Sequence, residues 1–164
     1  MKHIVSAVVY NNPSVLARIS GLFGRRGFNI DSLSVATTDD PKISRITITA
    51  QGDENTLDQI VKQTFKLEET INVTALKEED SVCRELILVK VVTESSFDNS
   101  IVQLADEFGA LILDITAKSM ILELTGTSNK IDKFTDAVMA LCKDKDMRVK
   151  NVCRTGITAI DRGV

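Results

Sequence analysis

Two kinds of hydrophobic period alternate along this chain, and their order occurs twice. Residues 3–10 are nearly all apolar or small and rich in β-branched side chains, as in a buried central strand. Val15, Leu16, Ile19, Leu22 and Phe23 then recur at helical spacing. Residues 29–37 and 44–51 return to strand character, and Leu57, Ile60, Val61, Thr64 and Phe65 form a second helical stripe. Residues 70–76 alternate as a fourth strand, giving the order β-α-β-β-α-β. After the charged segment 77–80 the order repeats: strand 83–93, a helix on Ile101, Leu104, Ala105 and Phe108, strands 110–116 and 119–125, a helix on Ile131, Phe134, Val138 and Leu141, and strand 147–153. Residues 155–164 read as a tail.

A repeated unit of this length and order predicts an α+β chain of two ferredoxin-like βαββαβ domains, 1–77 and 81–164. Each sheet has two helices to cover one face only, so the other face and the edge strands need a partner surface, and a dimer is expected. Within strand 44–51, Ile46, Ile48 and Ala50 point to one side, while Arg45, Thr47 and Thr49 point to solvent or a partner. Local punctuation agrees. Asn12 with Pro13 reads as an N-cap and first helical position, Gly24 and Gly27 weaken and end the first helix, and Gly52–Asp53 open the second.

Composition enters the argument through what it excludes. The chain has 164 residues, net charge −3, 4% aromatic residues and no Trp, so the core is aliphatic and no basic footprint for a phosphate backbone exists. An RNA-binding module on this topology needs exposed aromatics on its central strands, and only Tyr10 is on offer. His3 is the single histidine, which leaves a zinc site, a His-based triad or a metal-responsive regulator without ligands. Cys83, Cys142 and Cys153 form no C-x-x-C and, with no signal peptide or apolar span, read as free thiols of a cytoplasmic protein. Asp39–Asp40 and Glu68–Glu69 are the only acidic pairs that suggest acid–base work, and adjacent carboxylates in turns are ordinarily solvated. No catalytic residue and no metal ligand is assigned, and no cofactor is expected in this chain.

The stretch from Asn11 to Ile30 offers different chemistry. A free amino acid presents a carboxylate, which backbone N–H groups at a helix N-terminus receive well, and an ammonium, which amide oxygens accept. The amides here belong to Ser14 and Val15, because Pro13 has none to give. Asn11 and Asn29 supply side-chain oxygens, and Val15, Leu16 and Ile30 supply an apolar lining. The same residues also make an ordinary turn and cap.

The run N-N-P-S-V-L-A-R-I-S-G-L-F-G-R-R-G-F-N-I-D-S-L-S-V, followed by T-T-D-D-P-K-I-S-R-I-T-I, closely resembles the small regulatory subunit of acetolactate (acetohydroxyacid) synthase. The resemblance continues through G-D-E-N-T-L-D-Q-I-V-K-Q-T-F-K-L, R-E-L-I-L-V-K and L-T-G-T-S-N-K-I-D and covers the whole chain. It implies an N-terminal ACT domain that binds an amino-acid effector, and a related C-terminal domain. It implies a homodimer through the ACT domains and a partner in the large catalytic subunit, which would hold thiamine diphosphate, Mg and FAD. The function implied is activation of that transferase in branched-chain amino acid biosynthesis and its feedback inhibition, usually by valine. An ACT regulator of a different enzyme is the alternative. The family's effector loop falls on Asn11, Asn12, Ser14, Val15 and Leu16, and its second contact on Asn29 and Ile30, completed across the dimer. One departure stands out, since the family usually has Gly where this chain has Ser14. Either its hydroxyl adds a hydrogen bond to the carboxylate, or its side chain crowds the site and weakens feedback.

Overall fold

The computed structural model describes residues 1–163, which divide into two compact units. The first comprises residues 1–83 together with 156–163, and the second comprises Arg84–Thr155. This division differs from 1–77 and 81–164 chiefly at the C-terminal end, whose residues join the first unit.

In the first unit, strands β1 (Lys2–Tyr10), β2 (Ile30–Thr37), β3 (Ile43–Gln51) and β4 (Thr70–Leu76) form one sheet in the order β2-β3-β1-β4, with every pair antiparallel. Helices α1 (Val15–Arg25) and α2 (Glu54–Phe65) connect them in the expected βαββαβ sequence. Register explains the core. Val5 lies opposite Ile48 and Ala7 opposite Ile46, so these side chains share one face. That face is buried with Val15, Ile19, Leu22 and Phe23 of α1 and Ile60 of α2. Complete burial of a side chain such as Phe23 contributes about 2–3 kcal/mol. Gly27, at φ 71°, lets the chain turn out of α1 in the left-handed region. Phe28 then meets Phe23 edge-on, with ring centroids 6.3 Å apart.

The opposite face of this sheet, expected to meet solvent or a partner at Thr47 and Thr49, is buried within the chain at both of them and at Ser6. Part of the cover is the segment read as a tail. Residues Thr158–Asp161 form a strand, β9, in which Ile157 beside it is 1% and Ala159 is 4% exposed. Both pack with Ile4, Leu76 and Cys83 in a small second core. The alternation of Ile157, Ala159 and solvent-facing neighbours is too short to announce a strand by itself. What makes it one is the apolar patch it lands on, which is distant in sequence. Gly156 is required at the approach, because a Cβ there would come within 2.7 Å of the Ser32 side chain, and its φ is 78°.

The second unit repeats the plan. Strands β5 (Ser81–Thr93), β6 (Leu111–Ile115), β7 (Ser119–Gly126) and β8 (Met147–Arg154) form a sheet in the order β6-β7-β5-β8. β9 pairs with β5, whose first residues, 81–83, belong to the first unit. Helices α3 (Asn99–Phe108) and α4 (Ser128–Asp144) pack on it over Val89, Val91, Ile101, Leu122, Ile131 and Phe134. Helices α2, α3 and α4 each begin with a side-chain cap: Asp53 on Thr56, Asp98 on Ser100 and Thr127 on Lys130. The one strongly buried acid of this unit, Glu85, accepts from the Ser128 hydroxyl at 2.5 Å and pairs with Arg154, which also reaches Asp132 at 2.7 Å. Burial works against the Arg154 charge, yet these two carboxylates hold its pKa above the ordinary value. Cys83, Cys142 and Cys153 are all free of disulfides, and desolvation pushes the buried Cys142 thiol up, which keeps it protonated and inert. Among the described residues no helix is long and apolar enough to cross a membrane.

Candidate functional site

The loop between β1 and α1 is held from both sides. The Tyr10 N–H donates to the Glu69 carbonyl at 2.8 Å, and the Asn11 N–H to the Lys42 carbonyl at 2.7 Å. Asn11 Nδ2 donates to the Pro41 carbonyl at 3.0 Å, which leaves its Oδ1 as an acceptor without a partner among the described residues. The loop is thus tied to the entries of β3 and β4 while its tip stays exposed.

The helix start differs from the sequence reading. The N-cap of α1 is Ser14, not Asn12, and Pro13 lies outside the helix. The reason is a tight turn: the Asn12 N–H turns back to the Tyr10 carbonyl at 2.8 Å, and the Asn12 carbonyl takes the Val15 N–H at 3.4 Å. The chain then enters the helix through Ser14 at φ 71° and ψ −2°, the only non-glycine residue with positive φ among those described. The Ser14 hydroxyl makes no capping bond, and the first turn carries no acidic side chain. The N–H groups of Ser14, Leu16 and Ala17 have no acceptor among the described residues. Val15, expected to offer its amide, is partly engaged with Asn12, and Leu16 and Ala17 take its place. The positive end of α1 is therefore left for an anion, unlike the starts of α2, α3 and α4. Val15 is buried in the core and Leu16 is 43% exposed beside the loop.

Asn29 and Ile30 stand elsewhere in the chain. Ile30 opens β2 opposite Ala50, whereas Tyr10 lies opposite Ile43. Seven residues of strand separate Ile43 from Ala50, about 24 Å at about 3.4 Å per residue. Within one chain the two halves of the expected site therefore sit at opposite ends of the sheet. Asn29 Nδ2 reaches Asp31 Oδ1 at 3.4 Å, which leaves its own Oδ1 available.

The acidic pairs take structural roles. Asp40 Oδ1 accepts the Lys42 N–H at 2.9 Å in the turn before β3. Glu69 pairs with Arg18 at 2.5 Å and joins the first turns of α1 to the β4 entry. Its Oε2 is buried with no partner among the described residues, a feature that reading Glu68–Glu69 as a solvated pair missed. No sequence signal marks it, since the contact with Arg18 spans 51 positions. His3 Nε2 lies 2.9 Å from the Gly52 carbonyl, a backbone contact rather than a ligand position. No group of three or more His, Cys, Asp or Glu among the described residues is placed to hold a metal ion.

Comparison with known proteins accounts for this combination. A family model described as the AHAS small subunit-like ACT domain matches residues 5–72, and one described as the small subunit of acetolactate synthase matches residues 84–163. The probable acetolactate synthase small subunit of Archaeoglobus fulgidus is 42% identical over 163 residues, covering 99% of this chain and 98% of its own. The chain belongs to the acetolactate synthase small subunit family. Among other small subunits of the family, that of Haemophilus influenzae is 40% identical over 99% of this chain and 97% of its own. The crystal structure of the Thermotoga maritima acetolactate synthase small subunit superposes with a TM-score of 0.87 at 36% identity, over 100% of this chain and 99% of that one. The two ferredoxin-like units are thus the family's fold. A small subunit of this family is regulatory and not catalytic alone, in keeping with carboxylates engaged in turns and ion pairs.

Proposed function

We propose that this chain is the regulatory subunit of a cytoplasmic acetolactate synthase. It activates the thiamine-diphosphate-dependent large subunit and relays feedback from a branched-chain amino acid, valine foremost, bound at the start of α1. Thiamine diphosphate, Mg and FAD stay with the large subunit. The observation that carries the reading is the uncapped α1 N-terminus, with free amides at Ser14, Leu16 and Ala17, in a loop whose Asn11 Oδ1 is also open. The amides receive the effector carboxylate and Asn11 receives the ammonium.

The separation of Asn29 and Ile30 from this loop supports a homodimer through the ACT domains. Strand β2 is an edge of its sheet, where β3 is its one strand partner among the described residues. Thr37, at its far end, lies opposite Ser44, at the Tyr10 end of the sheet. Two-fold antiparallel pairing of β2 with β2 of a second copy sets Asn29 and Ile30 of one chain at the end where the other chain's Asn11–Leu16 loop stands. The pocket is then completed across the interface.

The test is reconstitution with the large subunit. The rate is expected to rise on adding this chain and to fall with valine, and Asn11→Ala is expected to weaken valine inhibition at least fivefold while activation remains. A large subunit whose rate ignores this chain would move the reading to an ACT regulator of another enzyme.

A further inference from the structure

Arg45 is half-buried on the face of the first sheet that turns away from α1 and α2, a position the effector loop does not use. Its Nη1 donates to the Ser6 hydroxyl at 3.0 Å, and it has no ion pair among the described residues. A guanidinium carries five N–H donors, so most of its capacity here is unspent. It borders a cavity of about 150 Å³, whose other walls are Ser6, Val8, Asn72, Thr74, Leu76 and Asp161. Asp161 arrives from β9, more than a hundred residues away in sequence, and also lacks an ion pair among the described residues. One cation and one carboxylate thus face a single small cavity without meeting each other.

We propose that this cleft is a second amino-acid site, separate from the α1 N-terminus: Arg45 takes the α-carboxylate and Asp161 the α-ammonium of a small L-amino acid. The guanidinium fork matches a carboxylate in two parallel hydrogen bonds. The Asp161 carboxylate disfavours phosphate, a dicarboxylate or a 2-oxo acid, each of which brings negative charge and no ammonium. Val8 and Leu76 form a short apolar wall, and Asn72 and Thr74 add polar contacts. The volume equals that of about five waters, which limits the side chain to a few heavy atoms. Occupancy also has a mechanical consequence. Asp161 lies on the segment held to the first unit by Ile157, Ala159 and the Arg162 N–H on the Asp80 carbonyl at 2.9 Å. A ligand spanning β3 and β9 ties that segment down.

Hydrogen exchange on the full chain, with L-alanine and L-serine as probes, reads this directly. Either amino acid is expected to slow exchange of amides 157–162 at least threefold, and neither L-lactate nor ethylamine, each lacking one charged end, is expected to do so. Arg45→Met and Asp161→Asn are each expected to raise the dissociation constant at least tenfold by calorimetry. Asn11→Ala is expected to leave it unchanged, so failure of the α1 site and failure of this one are told apart. Asp161 is exposed, and its substitution keeps the result free of folding effects. Absence of protection by both amino acids, equal protection by L-lactate, or binding lost in Asn11→Ala but kept in Arg45→Met would each overturn the proposal.

Discussion

Ser14→Gly removes a side chain from the one described position where an L-residue other than glycine sits at positive φ. At φ 71° and ψ −2° the Cβ crowds the following carbonyl, and this conformation costs an L-residue about 1–2 kcal/mol. The hydroxyl recovers none of that cost through capping, because it makes no cap hydrogen bond. Glycine removes the strain but adds unfolded-state entropy, a loss of about 0.5–1 kcal/mol. The net is a gain of about 0.5 kcal/mol, visible as a small rise in the urea midpoint at unchanged slope. The larger effect is expected on the effector. The Ser14 amide is free together with those of Leu16 and Ala17, so a carboxylate bound there meets the residue that carries this Cβ. Relief of a crowding penalty of about 1–3 kcal/mol tightens valine binding roughly 5- to 150-fold. Valine titration of the reconstituted enzyme beside Ser14→Gly and Ser14→Ala separates the causes, since alanine keeps the Cβ and loses only the hydroxyl. Ser14→Ala is expected to match the parent and Ser14→Gly to be inhibited at lower valine. Equal inhibition of all three would refute the crowding argument, and weaker inhibition of both variants would assign the hydroxyl to the effector instead.

Arg154→Met strips the ion pair from Glu85, whose side chain is 3% exposed, and leaves that carboxylate with the Ser128 hydroxyl alone. A loss of about 2–3 kcal/mol by urea unfolding is expected, below the usual figure for a buried pair because Arg154 itself is partly solvated. Asp98 caps α3, and its bonds from the Ser100 hydroxyl, Lys145 and the Ser100 N–H draw its pKa from an ordinary 3.8 down to about 2. A depressed carboxylate stabilises the fold above its unfolded pKa and loses that contribution as pH falls toward the folded value, so Asp98→Asn is expected to flatten the pH dependence of unfolding between 3.8 and about 2. Deleting residues 156–164 uncovers Ile4 and removes Ile157 and Ala159 from their small core. About 3 kcal/mol of stability is expected to be lost by thermal or urea unfolding, with the second unit's exchange protection unchanged.

Much of this molecule is legible before any coordinates. Period-two and period-3.6 apolar patterns are local properties, and they place all eight strands and four helices of the repeated unit. The shared strand order of the two sheets follows from that repeat. The Asp53 cap is local as well, since it binds an amide three residues on. Gly52 before it was visible for the same reason. Family resemblance is what sets the expected effector loop on Asn11–Leu16.

What sequence by itself determined, then, rests on neighbours within a turn or along a strand. Tertiary structure decided the rest, because those features join residues that sequence keeps far apart. The Asn11 loop is pinned by Lys42, Pro41 and, through Tyr10, Glu69. The last residues become β9 only because Ile4 and Leu76 present an apolar patch for Ile157 and Ala159. Arg45 and Asp161 share a cavity for the same reason. The sheet also sets Asn29 about 24 Å of strand from Asn11, a separation that a pocket built from both residues must bridge with a second chain.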